Sequence, residues 1–323
     1  MIRYVLALVA CVIALPALAL LALASLFTGV IRLDSAAFWD GGAWPLIRDS
    51  RFPRTAAALL TGASLAVSGQ IMQLIARNRF VEPMTAGTGQ CAALGILLAA
   101  VFAPAAAIGI KMALAAGAAL AGSLGFFAIV RRLPPAQPLL VPLAGLVYGG
   151  VIGAGVTYAA FQADMLQYLD IWINGEFSGT MRGRYELLWA AGLAALLSYL
   201  VADQFSILGL GEEVSLNLGL NYRQVVLLGL IVISVVTGLT VVTVGMVPFV
   251  GLVVPNMISR TAGDNLRRSL PLTALAGAGL VLAADILGRL VIHPFEVPAG
   301  TVIGIAGAGL FLWLLYGKGQ RVA

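Results

Sequence analysis

The chain has 323 residues, of which 61% are hydrophobic and only 10% charged, and its mean hydropathy is +1.01. A water-soluble domain carries about 25% charged residues, so an ordinary globular enzyme is excluded and the solvent is a bilayer. The net charge of +5 is then read first as membrane orientation, not as nucleic-acid binding.

The apolar runs predict ten helical spans near 4–27, 54–76, 86–103, 107–130, 139–161, 185–205, 225–244, 246–259, 271–290 and 298–316. About 20 apolar residues cross a hydrocarbon core of roughly 30 Å. These runs are too long and continuous for the alternating ~10-residue strands of an outer-membrane barrel. The chain therefore reads as an all-α integral membrane protein, a single transmembrane domain over 1–323. The first run exceeds the apolar core of a signal peptide, about 7–15 residues, and is expected to stay as an uncleaved span. "LVAC", ending at Cys11, only faintly resembles a lipoprotein cleavage box. Cys11 and Cys91 both lie in apolar segments and read as small inert hydrophobes, without a disulfide framework.

The third and eighth spans are short or broken by Pro and Gly. Irregular backbone at that depth is tolerated only where protein or a watery cavity covers it, so both are candidate pathway linings or buried turns. Gly145, Gly149 and Gly153 repeat at four-residue spacing in the fifth span, and Gly300 and Gly304 in the tenth. Such spacing lets helix backbones approach closely. It can also offer a smooth wall to a bulky substrate.

With ten spans both termini share one side. Arg3, Arg77, Arg79, Arg131, Arg132, Arg223, Arg260, Arg267, Arg268, Lys318 and Arg321 fall there, eleven of the 19 basic residues. Arg32, Arg48, Arg51, Arg54, Lys111, Arg182, Arg184 and Arg289 fall on the other. Five acids (Glu82, Asp203, Glu212, Glu213, Asp264) join the first group and nine the second, giving +6 and −1. Positive charge collects on the cytoplasmic side, so cytoplasmic termini and a multi-pass location in the cytoplasmic (inner) membrane are expected.

The chemistry of an enzyme is missing from the pattern. There is no G-x-x-x-x-G-K-[ST] loop to hold nucleotide phosphates and no cluster with metal-ligand spacing. The single histidine, His293, sits beside Pro294 in a short loop. No catalytic residue, metal ligand or bound cofactor is assigned. Mid-span acids and bases, the mark of a proton-coupled transporter, are nearly absent. Charge gathers at span ends, as in a passive path whose energy arrives from elsewhere.

Three stretches carry more. "RFPRTAAALLTGASLAVSGQ", 51–70, places Pro53 at a helix start with Arg51 and Arg54 beside it. Cations are unfavourable at the positive end of a helix dipole. They read either as interfacial anchors or as a surface awaiting carboxylates. Arg289 stands four residues after Asp285, a spacing that permits an ion pair on one helix face. "ARNRFVEPMTAGTGQ", 76–90, is a charged break in which Pro83, Gly87 and Gly89 fix irregular backbone. The third stretch is "VPFVGLVVPNMISRTAGDNLRRSLPLTALAGAGLVLAADILGRLVIHPFEVPAG", 247–300.

That run resembles the signature of the iron-chelate and cobalamin permease family, the membrane subunits of type II ABC importers. The matching residues are Phe249, Gly251, Leu252, Pro255, Arg260, Gly263, Asp264, Ala284, Asp285, Arg289, Glu296, Pro298 and Gly300. Arg51, Pro53 and Arg54 match the family's Arg-x-Pro-Arg at its second helix. Gly62, Ser68, Gly69, Gln73, Asn78 and Pro83 match the element that follows. "GEEVSLNLGL", 211–220, resembles its cytoplasmic loop, and Trp172, Gly175 and Gly179 echo its outer loop. The resemblance covers nearly the whole chain. It departs at Asn256, where the family has His, at Gly309, where it has Pro, and at Arg79-Phe80, where it has Pro-Leu. These departures bear on the substrate and favour a ferric-siderophore branch over cobalamin or haem.

The resemblance implies the type II importer fold and a set of partners: a second permease subunit, two ATP-binding subunits that hydrolyse ATP, and a substrate-binding protein outside. It implies docking of that protein's glutamates on Arg51, Arg54 and Arg289, so charge reversal at Arg54 is expected to weaken docking with little effect on folding. It implies contact with the ATPases through Glu212, Glu213, Ser215, Leu216, Gly219 and Arg223, a segment that on its residues alone reads equally as a solvated loop. It places the path between two permease subunits, with Gln70, Met72 and Met84 as candidate lining residues, although methionine in apolar helices usually serves packing. A secondary transporter working alone, and a membrane-embedded enzyme, are the competing classes. The first needs buried ionisable groups and the second convergent His, Asp or Ser, and neither set is found.

Overall fold

Inside lipid the backbone must satisfy its own polar groups, and runs rich in Ala, Leu, Val and Gly do so as helices. The computed structural model describes residues 2–29, 43–134, 139–263 and 265–316, with the side chains of 2–11, 43 and 314–316 left aside. Arg32, Asp264, Lys318 and Arg321, and the side chains of Arg3 and Cys11, lie outside the described residues. Among those described there is no strand.

The helices are α1 (Ile2–Phe27), α2 (Phe52–Ile75), α3 (Thr88–Phe102), α4 (Ile108–Val130), α5 (Leu140–Gln162), α6 (Leu166–Ile173), α7 (Leu188–Ser198), α8 (Ala202–Leu208), α9 (Glu212–Asn217), α10 (Tyr222–Val244), α11 (Val250–Ala262), α12 (Leu266–Val291) and α13 (Ala299–Tyr316). Five of them, α2 with its helical lead-in from Trp44, α4, α5, α10 and α12, are long and apolar enough to cross a membrane alone. Helices α1, α3 and α13 offer shorter apolar stretches, and the sixth predicted span is a bent pair in which α8 turns 69° from the helical run ending at Ser198. The predicted eighth span is the 13-residue α11, too short to cross at 1.5 Å per residue.

The long helices differ in burial: α2 and α10 are mostly enclosed, whereas α5 is mostly exposed. The centre is built on backbone contact. A Cβ on Gly62 of α2 would lie 2.2 Å from the Gly277 carbonyl oxygen of α12, and one on Gly69 would lie 2.2 Å from the Gly251 Cα of α11. Only glycine fits either place. The Gly145 and Gly149 repeat is likewise a packing face: Cβ atoms there would sit 3.3 Å from the Ala86 Cα and 3.2 Å from the Gly87 Cα.

Helices α3 and α11 are short because each begins inside the bundle. Irregular backbone at 76–87 precedes the first, with Gly87 at φ 87°, and Phe249 at φ 67° precedes the second. Buried side chains satisfy the exposed polar groups of both breaks. The Glu82 carboxylate accepts the Phe249 N–H at 2.7 Å. Asn78 Oδ1 accepts the Phe80 N–H at 2.8 Å. Asn256 Nδ2 donates to the carbonyls of Arg79 and Leu252, both at 2.7 Å. One sequence expectation changes here. Glu82 is 1% exposed and belongs to the core, not to a charged face. Asn256, where the family pattern has His, braces the break.

The start of α2 also differs. The helical path does not begin at Pro53 but runs on from Ala43 through a π-helical turn, Ile47–Arg51, closed by the Phe52 N–H on the Ile47 carbonyl. Proline lacks a donor and crowds the carbonyl four residues before it, here that of Asp49. The wider turn makes room for the ring, and the Arg182 N–H takes the Asp49 carbonyl at 3.2 Å. Arg51 and Arg54 thus do not stand at a free helix N-terminus.

Candidate functional site

The ends of α1 and α12, the start of α2 and the loop before α13 meet at one end of the bundle, and their charged residues form a network. Arg54 donates from Nε and Nη2 to Asp285 Oδ1 at 3.0 and 2.7 Å, and from Nη1 to Glu296 Oε2 at 2.8 Å. Arg289 donates from Nη2 to Asp285 Oδ2 at 2.5 Å and to Ser25 Oγ at 2.7 Å. Its Nη1 donates to the carbonyls of Thr28 and Ser25 at 2.8 and 3.0 Å. Ser25 and Thr55 share a hydroxyl hydrogen bond at 2.8 Å, and Arg51 Nη1 donates to the Leu26 carbonyl at 2.7 Å. The predicted Asp285–Arg289 pair is present, and Asp285 also bridges two arginines. Arg54 and Arg289 are thus matched by Asp285 and Glu296, as low dielectric demands.

This geometry corrects the picture of an open cationic rim. Arg51 and Arg289 are 6% and 5% exposed, and both are held by carbonyls at the end of α1. The last turn of a helix leaves carbonyls without intrahelical partners, and guanidinium groups fill that need. Arg54 lies between two carboxylates with its side chain 14% exposed. A glutamate there would set three carboxylates together, so the expectation that charge reversal at Arg54 leaves folding intact does not hold. Glu296, 23% exposed along its side chain, is the most accessible member of the two Arg54 pairs.

The same end carries 163–187. The Met246 N–H donates to the Trp172 carbonyl at 2.9 Å and the Gly300 N–H to the Gly175 carbonyl at 2.8 Å. A cavity of about 790 Å³ opens there beside Lys111, Trp172, Glu176, Gly179 and Arg184.

At the opposite end the chain turns through α8 and α9. Ser215 is fully buried, and its hydroxyl donates to the carbonyls of Gly211 and Ile207. It therefore holds the turn and cannot meet a partner protein. Leu216 is 57% exposed, and Leu210, Val214 and Leu218 stand out around it. Exposed leucines on a polar turn are unfavourable in water and suit contact with another apolar surface. Glu212 is 3.5 Å from Arg131, both about half exposed. Glu213, Gly219 and Arg223 are exposed, so five of the six predicted contact residues stand partly or fully at the surface.

Of the candidate lining residues, Met72 and Met84 are 2% and 4% exposed and belong to the core. A path between two subunits runs along surface that one chain leaves open, so neither lines it in this structure. Gln70 differs. Its Nε2 donates to Ser269 Oγ at 2.7 Å, its buried Oε1 has no partner among the described residues, and it borders a cavity of about 330 Å³ with Gln73, Arg77 and Asn78. Among the described residues no cluster of three His, Cys, Asp or Glu could hold a metal. Glu82 was missed as a structural group. Its one signal is an acid directly before Pro83 inside an otherwise apolar, Gly-containing break.

A model of the FecCD transport family matches residues 17–317. The petrobactin import system permease protein YclN of Bacillus subtilis (strain 168) is 42% identical over 92% of this chain and 95% of its own. The ferric-anguibactin transport system permease protein FatD of Vibrio anguillarum is 40% identical over 92% and 95%. The fold matches that of a metal-chelate type ABC transporter in an inward-facing conformation, with TM-score 0.79, 24% identity, and coverage of 97% of this chain and 99% of that one. With Arg54, Asp285, Arg289 and Glu296 joined in one network and an apolar-tipped turn at the far end, the chain is a member of the FecCD transport family, a membrane-spanning permease.

Proposed function

We propose that this chain is the permease subunit of an ATP-driven importer and moves a ferric siderophore across the cytoplasmic membrane. The identity of 40–42%, running almost end to end, with permeases named for petrobactin and anguibactin carries the reading. The chain itself holds the path. A second permease completes it, two ATP-binding subunits supply the energy, and a substrate-binding protein delivers the chelate. The arginine network faces outward and the α8–α9 turn inward, with both termini cytoplasmic. This agrees with the excess of basic residues at the turn end.

The exposed leucines of that turn suit a groove on each ATPase, with Ser215 keeping the turn in shape. On the outer side the arginines are already paired, so docking is an exchange. A carboxylate of the binding protein displaces Glu296 from Arg54, while Asp285 keeps Arg54 in place and Arg51 and Arg289 tie the site to α1. Bidentate pairing of guanidinium with carboxylate makes such a swap nearly neutral in hydrogen bonds.

The test is reconstitution of the complete importer in proteoliposomes, with radiolabelled iron given as ferric petrobactin and parallel arms given haemin or cyanocobalamin. ATP-dependent accumulation of the ferric chelate alone is the expected result. Uptake of haemin or cobalamin in its place moves the chain to another branch. Uptake that follows an ion gradient without the ATPase overturns the importer reading.

A further inference from the structure

Helices α4 and α10 touch near the arginine-network end and part toward the other. A Cβ on Gly238 would lie 2.7 Å from the Ala116 Cα, and Ser234 and Ser123 approach to 3.5 Å. Beyond Ser123 the two helices enclose a groove of about 570 Å³, within the size range of ligand pockets, about 300–1,000 Å³. Its floor is Val226 and Leu230, 5% and 2% exposed, and its rim is Leu124 and Leu227, both over 40% exposed. At its mouth stand Arg131, Arg132 and Arg223 beside Tyr222.

We infer that this groove is a specific site for an anionic phospholipid, with acyl chain along α4 and α10 and phosphate among the three arginines. Charge and shape both favour that occupant. Glu212 faces Arg131 at 3.5 Å with both groups about half exposed, an arrangement that contributes little. Two net positive charges therefore remain at the mouth. From Leu124 to Arg131 is seven residues, or about 10 Å along the helix, so cation and apolar floor are spaced like a headgroup and the first part of its chain. Arg131 also lies over the Phe127 ring, 5.9 Å from its centre, and both line the groove. Basic pockets between transmembrane helices at the cytoplasmic level suit anionic headgroups. Interfacial anchoring alone calls for no groove. A soluble ATPase could cover the arginines but does not reach an apolar floor two turns up a membrane span.

The purified full-length chain in mild detergent is titrated by native mass spectrometry with phosphatidylglycerol, phosphatidylcholine and inorganic phosphate. Phosphatidylglycerol should be retained selectively. Each basic side chain near an anionic headgroup contributes roughly a fivefold factor, so R132Q/R223Q should bind it about 25-fold more weakly and leave phosphatidylcholine unchanged. A128W, which fills the lipid-facing wall of the groove without touching charge, should weaken phosphatidylglycerol as well. Thermal unfolding of both variants checks that they fold. Equal retention of the two lipids overturns the site. So does an unaffected R132Q/R223Q, competition by inorganic phosphate as strong as by lipid, or an A128W variant that binds normally while the ATPase subunit displaces the lipid.

Discussion

Asparagine at Asp285 should destabilise the protein far more than glutamine at Glu296, although both acids pair with Arg54. Asp285 is 2% exposed and receives hydrogen bonds from Arg54 and Arg289. Removing one partner of a buried ion pair costs about 3–5 kcal/mol. Arg289 keeps Ser25 Oγ and two carbonyls, and Arg54 keeps Glu296, so the low end of about 3 kcal/mol applies. The Arg54–Glu296 pair is partly open to solvent, and such pairs give about 0–1 kcal/mol. At about 2 °C per kcal/mol for a chain this long, D285N should lower the unfolding temperature in detergent by about 6 °C and E296Q by at most about 2 °C. Intrinsic fluorescence read during heating, with size-exclusion recovery as a second measure, gives both values. Equal shifts, or a D285N protein within 1 °C of the native one, would refute the assignment of Asp285 as the buried counter-charge of two arginines.

Leu216→Asp should leave the amount of folded permease unchanged and cut ATP-driven uptake at least tenfold while ATP hydrolysis continues; normal coupled uptake removes the α9 turn from the ATPase contact. Gly62→Leu should abolish accumulation of folded protein, because the Gly277 carbonyl occupies the space. Gly309→Ala, with open space around it, should be silent, and immunoblots of membrane fractions compare the two. Met72→Leu and Met84→Leu conserve volume and should cost less than about 1.5 kcal/mol each with an unchanged KM for chelate. A raised KM at normal expression would return these methionines to the path.

The helices were legible wherever a hydrophobic run stood between charged or proline-containing turns, as for α4, α5, α10 and α12. Boundaries failed where tertiary structure supplied what a local rule withheld. The pattern around Pro53 signals a helix start, yet the π-helical turn and Arg182 absorb the proline, so the helical path into α2 runs back to Ala43. Residues 76–87 read as a charged inner loop because Arg77, Arg79 and Glu82 lie close in sequence. Pro83 and Gly87 instead fold the segment inward, and Glu82 meets an N–H 167 residues away. No periodicity reports so distant a partner. The i,i+4 spacing of Asp285 and Arg289 was readable because it is local. That Arg54 shares the same carboxylate was not, since the two lie 231 positions apart. Methionines 72 and 84 show the same limit, because which face of an apolar helix meets its neighbours depends on those neighbours.

The glycine contacts at Gly62–Gly277 and Gly69–Gly251 have a mechanical side. Side chains can slide past one another through rotamer changes, but touching main chains have no such play. Helix α2 is clamped in this way to α12 near its middle, at Gly62, and to α11 two turns further on, at Gly69. The trio can tilt or translate only as one rigid strut, and any switching of access between the two faces of the membrane must happen at the seams around it, not within it.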